Sequence, residues 1–205
     1  MPRRAAYDRA TIESILDEAM VCHLATVDEA GFPVVVPTLQ ARDGDHVYLH
    51  GSAAGRTLRA AARMEVCLAA TLLDGLVLAR SAVHHSVNYR SVVIFGSAER
   101  VVDEAGKRRA LAAFTEKLVP GRWDDVRAPT ARELRGTAVL RLSLEEASAK
   151  VRGGPPLDDE EDYELPVWAG VVGLRTVAAD PVPDDRLLAG VEPPPYLAAL
   201  LERLS

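Results

Sequence analysis

Short β-rich runs divided by turn signals, with no regular crossover helices between them, most constrain what this chain can fold into. Val21–Val27 is followed by Asp28-Glu29-Ala30-Gly31, Phe32–Ala41 by Arg42-Asp43-Gly44-Asp45, and Val47–His50 then runs into Gly51. Apolar runs bounded by Gly and Asp clusters predict a meander of antiparallel strands. Pro33 and Pro37 remove ladder donors, which places the second strand at a sheet edge or beside a ligand. Val66–Leu73, Leu76–Arg80, Arg90–Val102, Ala138–Leu144 (continuing toward Val151) and Trp168–Val177 extend the pattern. Asp74-Gly75 predicts a hairpin turn, Gly96 a bulge, and Ser81–Tyr89 a loop. Strands joined in this way predict a closed or nearly closed antiparallel barrel, because a doubly wound parallel sheet needs a helix between successive strands.

The helices read as peripheral. Ile12, Ile15, Leu16, Ala19 and Met20 form one helical face, with Asp8 or Thr11 as its cap. A short helix over Gly55–Arg63 turns Leu58, Ala61 and Ala62 inward, and a longer one over Glu104–Leu118 shows Ala110, Leu111, Phe114 and Leu118 on one side. Thr130-Ala131-Arg132-Glu133 fits a capping box. Pro193-Pro194-Pro195 introduces a last helix, Tyr196–Leu204. The fold class is therefore mainly β with peripheral helices. A chain of 205 residues suits one domain, 1–205, with an N-terminal helix and a C-terminal extension over about 178–205.

Composition narrows the function classes. Aromatics are only 5%, so the core must come from Val, Leu and Ala. A net charge of −6 with scattered arginines argues against nucleic acid, whose binders concentrate positive charge. No apolar run approaches the roughly 18 residues of a spanning helix, so no membrane partner is expected. Met1-Pro2-Arg3-Arg4 leads into an amphipathic helix rather than an apolar signal core, and a cytoplasmic location is the expectation. Cys22 and Cys67 sit in separate strands and read as buried, reduced thiols. No metal site is expected. His84-His85 is a poor pair because adjacent side chains diverge, and the carboxylates of Asp158-Asp159-Glu160-Glu161-Asp162 repel one another and read as solvated.

Chemistry concentrates in two segments. In Tyr48-Leu49-His50-Gly51-Ser52-Ala53-Ala54-Gly55-Arg56-Thr57-Leu58 a strand ends, a tight turn follows and a helix begins. Backbone N–H groups, hydroxyls and the Arg56 fork suit an anion such as phosphate. A plain helix cap with a surface arginine would read alike, and the spacing is not that of a P-loop. In His84-His85-Ser86-Val87-Asn88-Tyr89-Arg90-Ser91-Val92-Val93, polar groups crowd the start of an apolar strand. They suit the edge of a planar heterocycle, or simply a solvated loop. Trp168 reads as a ligand cover, a dimer contact or a core residue. No Ser-His-Asp or Cys-His arrangement stands out.

Taken together, these segments resemble the flavin-nucleotide-binding branch of the pyridoxamine 5′-phosphate oxidase-like superfamily, which includes nitroimidazole-resistance proteins. The likeness runs from about Tyr7 to Leu174. It is carried by Cys22-His23-Leu24-Ala25, Pro37-Thr38, Tyr48–Ser52, Gly55-Arg56, Asn88–Val93, Phe95-Gly96, Lys150–Pro156 and Trp168-Ala169-Gly170. The resemblance implies a six-stranded antiparallel split β-barrel (the FMN-binding split barrel) and a homodimer with FMN at the subunit interface. It implies phosphate contacts from His50, Ser52, Arg56 and Thr57. Pro37, Thr38 and Leu39 would run beside the isoalloxazine ring, Arg90 and Ser91 would hold the flavin's polar groups, and Trp168 would approach from the partner subunit. The activity implied is that of an FMN-dependent oxidoreductase, passing electrons from a reduced nicotinamide or deazaflavin to a small-molecule redox partner. A flavin-binding or sensing module without turnover is the alternative, as is haem binding on the same barrel with His50, His84 or His85 as axial ligand. The C-terminal ending of true pyridoxamine-phosphate oxidases is absent, so that substrate is not implied.

Overall fold

Alternation of buried and exposed side chains along three neighbouring strands sets the architecture. The computed structural model describes residues 5–6, 8–28, 30–62 and 64–204. Met1-Pro2-Arg3-Arg4, Tyr7, Glu29 of the first expected turn and Arg63 at the end of the expected short helix lie outside the described residues. In chain order the first elements are β1 (Ala5–Ala6), α1 (Arg9–Glu18), β2 (Val21–Val27), β3 (Pro33–Leu39), β4 (Ala41–Asp43), β5 (His46–Ser52) and α2 (Arg56–Ala61). There follow β6 (Glu65–Leu78), β7 (Ser86–Ser97), β8 (Glu99–Arg100), α3 (Glu104–Leu118) and α4 (Ala131–Gly136). The last are β9 (Thr137–Ser143), β10 (Ala147–Arg152), β11 (Gly170–Gly173) and α5 (Pro195–Arg203).

The strands form two antiparallel sheets. The larger runs β1-β10-β7-β6-β2-β3 with β11 branching from β6, and the smaller runs β4-β5-β9-β8. They pack as a split barrel and do not close into one continuous cylinder, which corrects the nearly closed barrel expected from the hairpin pattern. Cys22, Leu24, Leu68, Ala70, Val92 and Ile94 point inward from the large sheet and meet Val47, Leu49, Leu140 and Leu142 of the small one. Ile12, Ile15 and Leu16 of α1 join that cluster and are 2%, 1% and 0% exposed. Asp8 caps the helix, its carboxylate accepting the Thr11 N–H at 2.9 Å. The other face of the small sheet is covered by α3, where Ala110 and Phe114 pack on Ala41, Tyr48 and Val139. Among the described residues no such layer covers the outer face of the large sheet, where Val35 and Phe95 are 60% and 58% exposed.

Several local expectations change. Asp74-Gly75 is no hairpin: β6 runs unbroken, with a register shift against β7 between Leu73 and Gly75. β11 pairs antiparallel with β6 there, and a Cβ on Gly75 would lie 3.0 Å from Val172 O, so the glycine serves close approach. The expected long strand over Arg90–Val102 starts earlier, at Ser86, and breaks after Ser97, with Gly96 at φ +147°. β8 then belongs to the small sheet. Ala138–Val151 is likewise two strands in different sheets, and Trp168–Val177 keeps strand geometry only over Gly170–Gly173. Glu160–Glu164 forms a turn of 3-10 helix. Among the described residues no helix is long and apolar enough to cross a membrane.

The C-terminal end of α1 is held by an unusual pair of donors. Gln40 Nε2 donates to Leu16 O and Ala19 O at 2.6 Å each, and Lys117 Nζ donates to the same carbonyls at 2.6 and 2.7 Å. Helix ends leave such carbonyls without intrahelical partners, and a cation there opposes the helix dipole favourably. Burial nevertheless pushes the Lys117 ammonium down to about 8, while Asp17 pulls the other way. The same burial raises the Cys22 thiol to about 12, against the opposing charge of Lys117. Between about 8 and its ordinary 10.5, folded Lys117 holds fewer protons than unfolded Lys117, so raising the pH through this window favours the folded state. Urea unfolding of wild type and Lys117→Met across this range should therefore show the difference moving in favour of the wild type as pH rises. A constant difference would contradict the account.

Candidate functional site

A small cavity of about 140 Å³ opens where β2, β3, β5 and α2 meet. Its walls are Leu24, Val36, Pro37, Thr38, His50, Gly51, Ser52, Gly55, Thr57 and Leu58. The local sequence explains the shape. β5 ends at Ser52, whose carbonyl accepts the Gly55 N–H at 2.9 Å while its hydroxyl accepts the Ala54 N–H at 3.2 Å, closing a tight turn. α2 then lies back across β5. A Cβ on Gly51 would stand 3.0 Å from Leu58 Cδ1, so a larger residue there would push α2 away. Gly55 supplies no side-chain cap to α2, and the helix spans only Arg56–Ala61, so its dipole adds little to the anion argument made from sequence.

His50 is the most telling wall. Its ring packs edge-on against Phe114, with centroids 4.3 Å apart, and burial holds its pKa below the ordinary imidazole value. Its Nδ1 is buried without a hydrogen-bond partner among the described residues. A buried polar atom left unpaired is costly unless a ligand or water completes it. With Ser52 and Thr57 beside it, the cavity is lined by one imidazole and two hydroxyl-bearing side chains against apolar walls. That donor set can take a phosphate group.

The residues expected from sequence separate cleanly. Pro37, Thr38, His50, Ser52 and Thr57 come together in the cavity. Arg56 lies beside it on α2, exposed and without a polar partner among the described residues, and Leu39 packs instead against the α3 side of the small sheet. Arg90 is elsewhere and fully engaged. It bonds Glu18 through both terminal nitrogens at 2.5 and 2.8 Å and Asp74 through Nε and Nη2 at 3.0 and 2.7 Å. It thus clasps α1 to β6 and β7. Ser91 lies on the large sheet, its hydroxyl 3.4 Å from Lys150 O. Trp168 is 67% exposed and folds over Gly170. Leu24, Val36 and Leu58 were not assigned to the site from sequence, because an inward apolar residue reads the same whether it faces core or cavity.

Two other groupings bear on function. A larger cleft of about 410 Å³ is lined by Asp17, Arg42, Asp43, Ala113, Glu116, Lys117 and Arg203. Arg42 and Asp17 pair there at 2.9 and 2.6 Å, while Lys117 and Glu116 are engaged by backbone groups, so these charges offer little to a ligand. Around the β6–β7 turn, Arg80 Nη1 holds Asp158 at 3.0 Å, and the guanidinium carbon Cζ lies 4.9 Å from the Tyr163 ring centroid. There His84, Asp159 and Asp162 bring potential ligand atoms within 4.8 Å of one another.

The comparisons join this geometry to known proteins. The sequence profile of the pyridoxamine 5′-phosphate oxidase family matches residues 8–151. This chain belongs to that family. Within it, the flavocytochrome Anf3 from Azotobacter vinelandii is 47% identical, with 95% of this chain and 91% of that one covered at a TM-score of 0.90. The FAD and heme binding protein from Mycobacterium smegmatis is 35% identical over 97% and 98% of the two chains, at a TM-score of 0.92. A candidate 5-nitroimidazole antibiotic resistance protein from Bacteroides thetaiotaomicron is 26% identical over 72% and 86%, at a TM-score of 0.61. No curated protein matches. The family match stops at Val151, whereas the first two structures cover nearly the whole chain and so extend into the segment beyond it.

The Arg90 clasp generates a direct test. Arg90→Ala should lower stability to urea by about 1–2 kcal/mol, a figure reduced because Glu18 is half-exposed and its contact is screened by water. Unchanged stability would show that the clasp does not hold α1.

Proposed function

We propose that this chain is a flavin-nucleotide-binding redox protein that also holds haem. The observation that carries the flavin reading is the apolar-walled cavity that gathers Ser52, Thr57 and His50, whose buried Nδ1 is unpaired among the described residues. His50, Ser52 and Thr57 would bind the phosphate next to the ribityl chain, and exposed Arg56 would add charge at the rim. Pro37 and Thr38 would line the path of the ring system, while Leu24, Val36 and Leu58 exclude water from beneath. That phosphate is common to FMN and FAD. FMN is the expectation from the sequence resemblance, and the name of the M. smegmatis relative favours FAD. The same name, with that of the flavocytochrome, supports the haem.

A bound flavin supplies reversible one- and two-electron redox chemistry. Electrons would come from a reduced nicotinamide or deazaflavin and pass to a small acceptor. The protein's part is position and exclusion of water, and no side chain is assigned as acid or base. Thr57→Val should weaken FMN and FAD by about 10- to 150-fold, the worth of one hydrogen bond to a charged group, and leave riboflavin unaffected. Calorimetric titration of the three ligands reads the contrast. Equal loss for all three would overturn the phosphate assignment.

The uncovered face of the large sheet supports a homodimer. On it Val21, Val35, Val27 and Phe95 are 47%, 60%, 42% and 58% exposed, a grouping that a monomer rarely leaves to water. A second copy seated there would bury this face and extend the wall beside β3 for each flavin. Phe95→Glu should dissociate the dimer in sedimentation velocity and weaken flavin binding at the same time. A monomeric variant with unchanged flavin affinity would separate the two, contrary to this proposal.

A further inference from the structure

The turn between β6 and β7, residues 79–85, carries a histidine prepared for a metal. His85 Nδ1 lies 3.0 Å from Ser81 O. A backbone carbonyl only accepts, so Nδ1 is the donor, an arrangement that in the neutral ring leaves the lone pair on Nε2. A neutral imidazole whose orientation is fixed by such a bond is the usual form of a histidine ligand. His85 is exposed, and its Nε2 has no partner among the described residues. The other histidines are differently placed. His50 belongs to the flavin cavity, His23 stands on the uncovered sheet face between Pro37 and Ala69, and His46 lies in β5 near Tyr48. His84 turns its Nδ1 toward Asp158 Oδ1, 3.8 Å away.

The surroundings suit a flat apolar group. The segment after Val151 is fastened to this turn by the Arg80 N–H and guanidinium on Asp158, and by Asn88 Nδ2 on Gly154 O at 3.1 Å. Gly170, two residues beyond Trp168, pairs with Leu78 just before the turn. Val83, Leu157 and Trp168 are 82%, 72% and 67% exposed at this one end of the sheet. An imidazole on a turn at a sheet end that also carries exposed apolar and aromatic side chains offers a haem an axial nitrogen and an apolar surface. The segment that supplies Leu157 and Trp168 lies beyond the family match, and the two relatives whose names carry flavocytochrome or heme extend into it.

We propose that His85 Nε2 is an axial ligand of the haem iron, on a surface made by the 79–85 turn and residues 153–168. This rests on the reading that the chain holds haem, and the test separates the two. Full-length wild type, His85→Ala, His85→Met and His84→Ala are loaded with hemin and followed by optical and electron paramagnetic resonance spectra. Haem stoichiometry, flavin content and circular dichroism are measured alongside. The expected result is that His85→Ala loses haem affinity by about tenfold or more, with the flavin retained. Added imidazole should restore the wild-type spectrum, His85→Met should show an altered ligand field, and His84→Ala should keep the wild-type signature. If the wild type binds haem and both His85 variants keep its spectrum and stoichiometry, the assignment of His85 is overturned while the haem reading stands. A wild type that takes up no hemin overturns the haem reading itself, and the assignment with it.

Discussion

The spacing of the two sheets depends on the apolar face of α1, which lies between them as the third wall of the core. Ile12, Ile15 and Leu16 are almost wholly buried, so α1 cannot shift without exposing the large sheet and the small sheet together. Burying side chains of this size contributes about 1.5–3 kcal/mol each. Its C-terminal carbonyls are fixed by Gln40, at the β3–β4 junction, and by Lys117 of α3, while Glu18 in its last turn anchors Arg90. One helix thereby holds both sheets and α3 in register.

The cavity is a consequence of that arrangement. β3 lies at the edge of the large sheet and β5 within the small one, and they diverge where the barrel is split. Gly51 lets α2 close the gap from below, and the turn at Ser52 aims polar groups into it. His50 reaches the cavity because it alternates with Leu49, which faces the main core, and so it packs on Phe114 of α3. The uncovered outer face follows from the same topology, since α1 and α3 are both spent on the inner core and the small sheet.

Much of this was legible in the sequence, for physical reasons that also explain the failures. Period-two alternation marked β2, and the spacing of apolar residues marked α1 and α3, because burial of one face governs both. The turn at Ser52 was visible through its glycines and hydroxyl, and with it residues that line the cavity, His50, Ser52 and Thr57. Asp74-Gly75 was misread because a glycine that permits a bulge and one that permits a hairpin look the same until β11 is seen to pair alongside. The pairing of Arg90 was not legible because its partner Glu18 is 72 residues away, and a paired arginine cannot be told from a free one by its neighbours in the chain. The link of the 79–85 turn to the segment beyond Val151 was invisible for the same reason: Arg80 and Asp158 are 78 residues apart.

The central claim is that this member of the family carries a flavin nucleotide together with haem, and one measurement addresses it most directly. Absorbance spectra of the purified protein, before and after adding FAD, FMN and hemin, should show flavin bands together with a haem Soret band. The chromophores released on denaturation should include an intact flavin nucleotide rather than riboflavin. A protein that stays colourless and takes up neither flavin nucleotide nor hemin would contradict the account, however closely its fold follows that of its relatives.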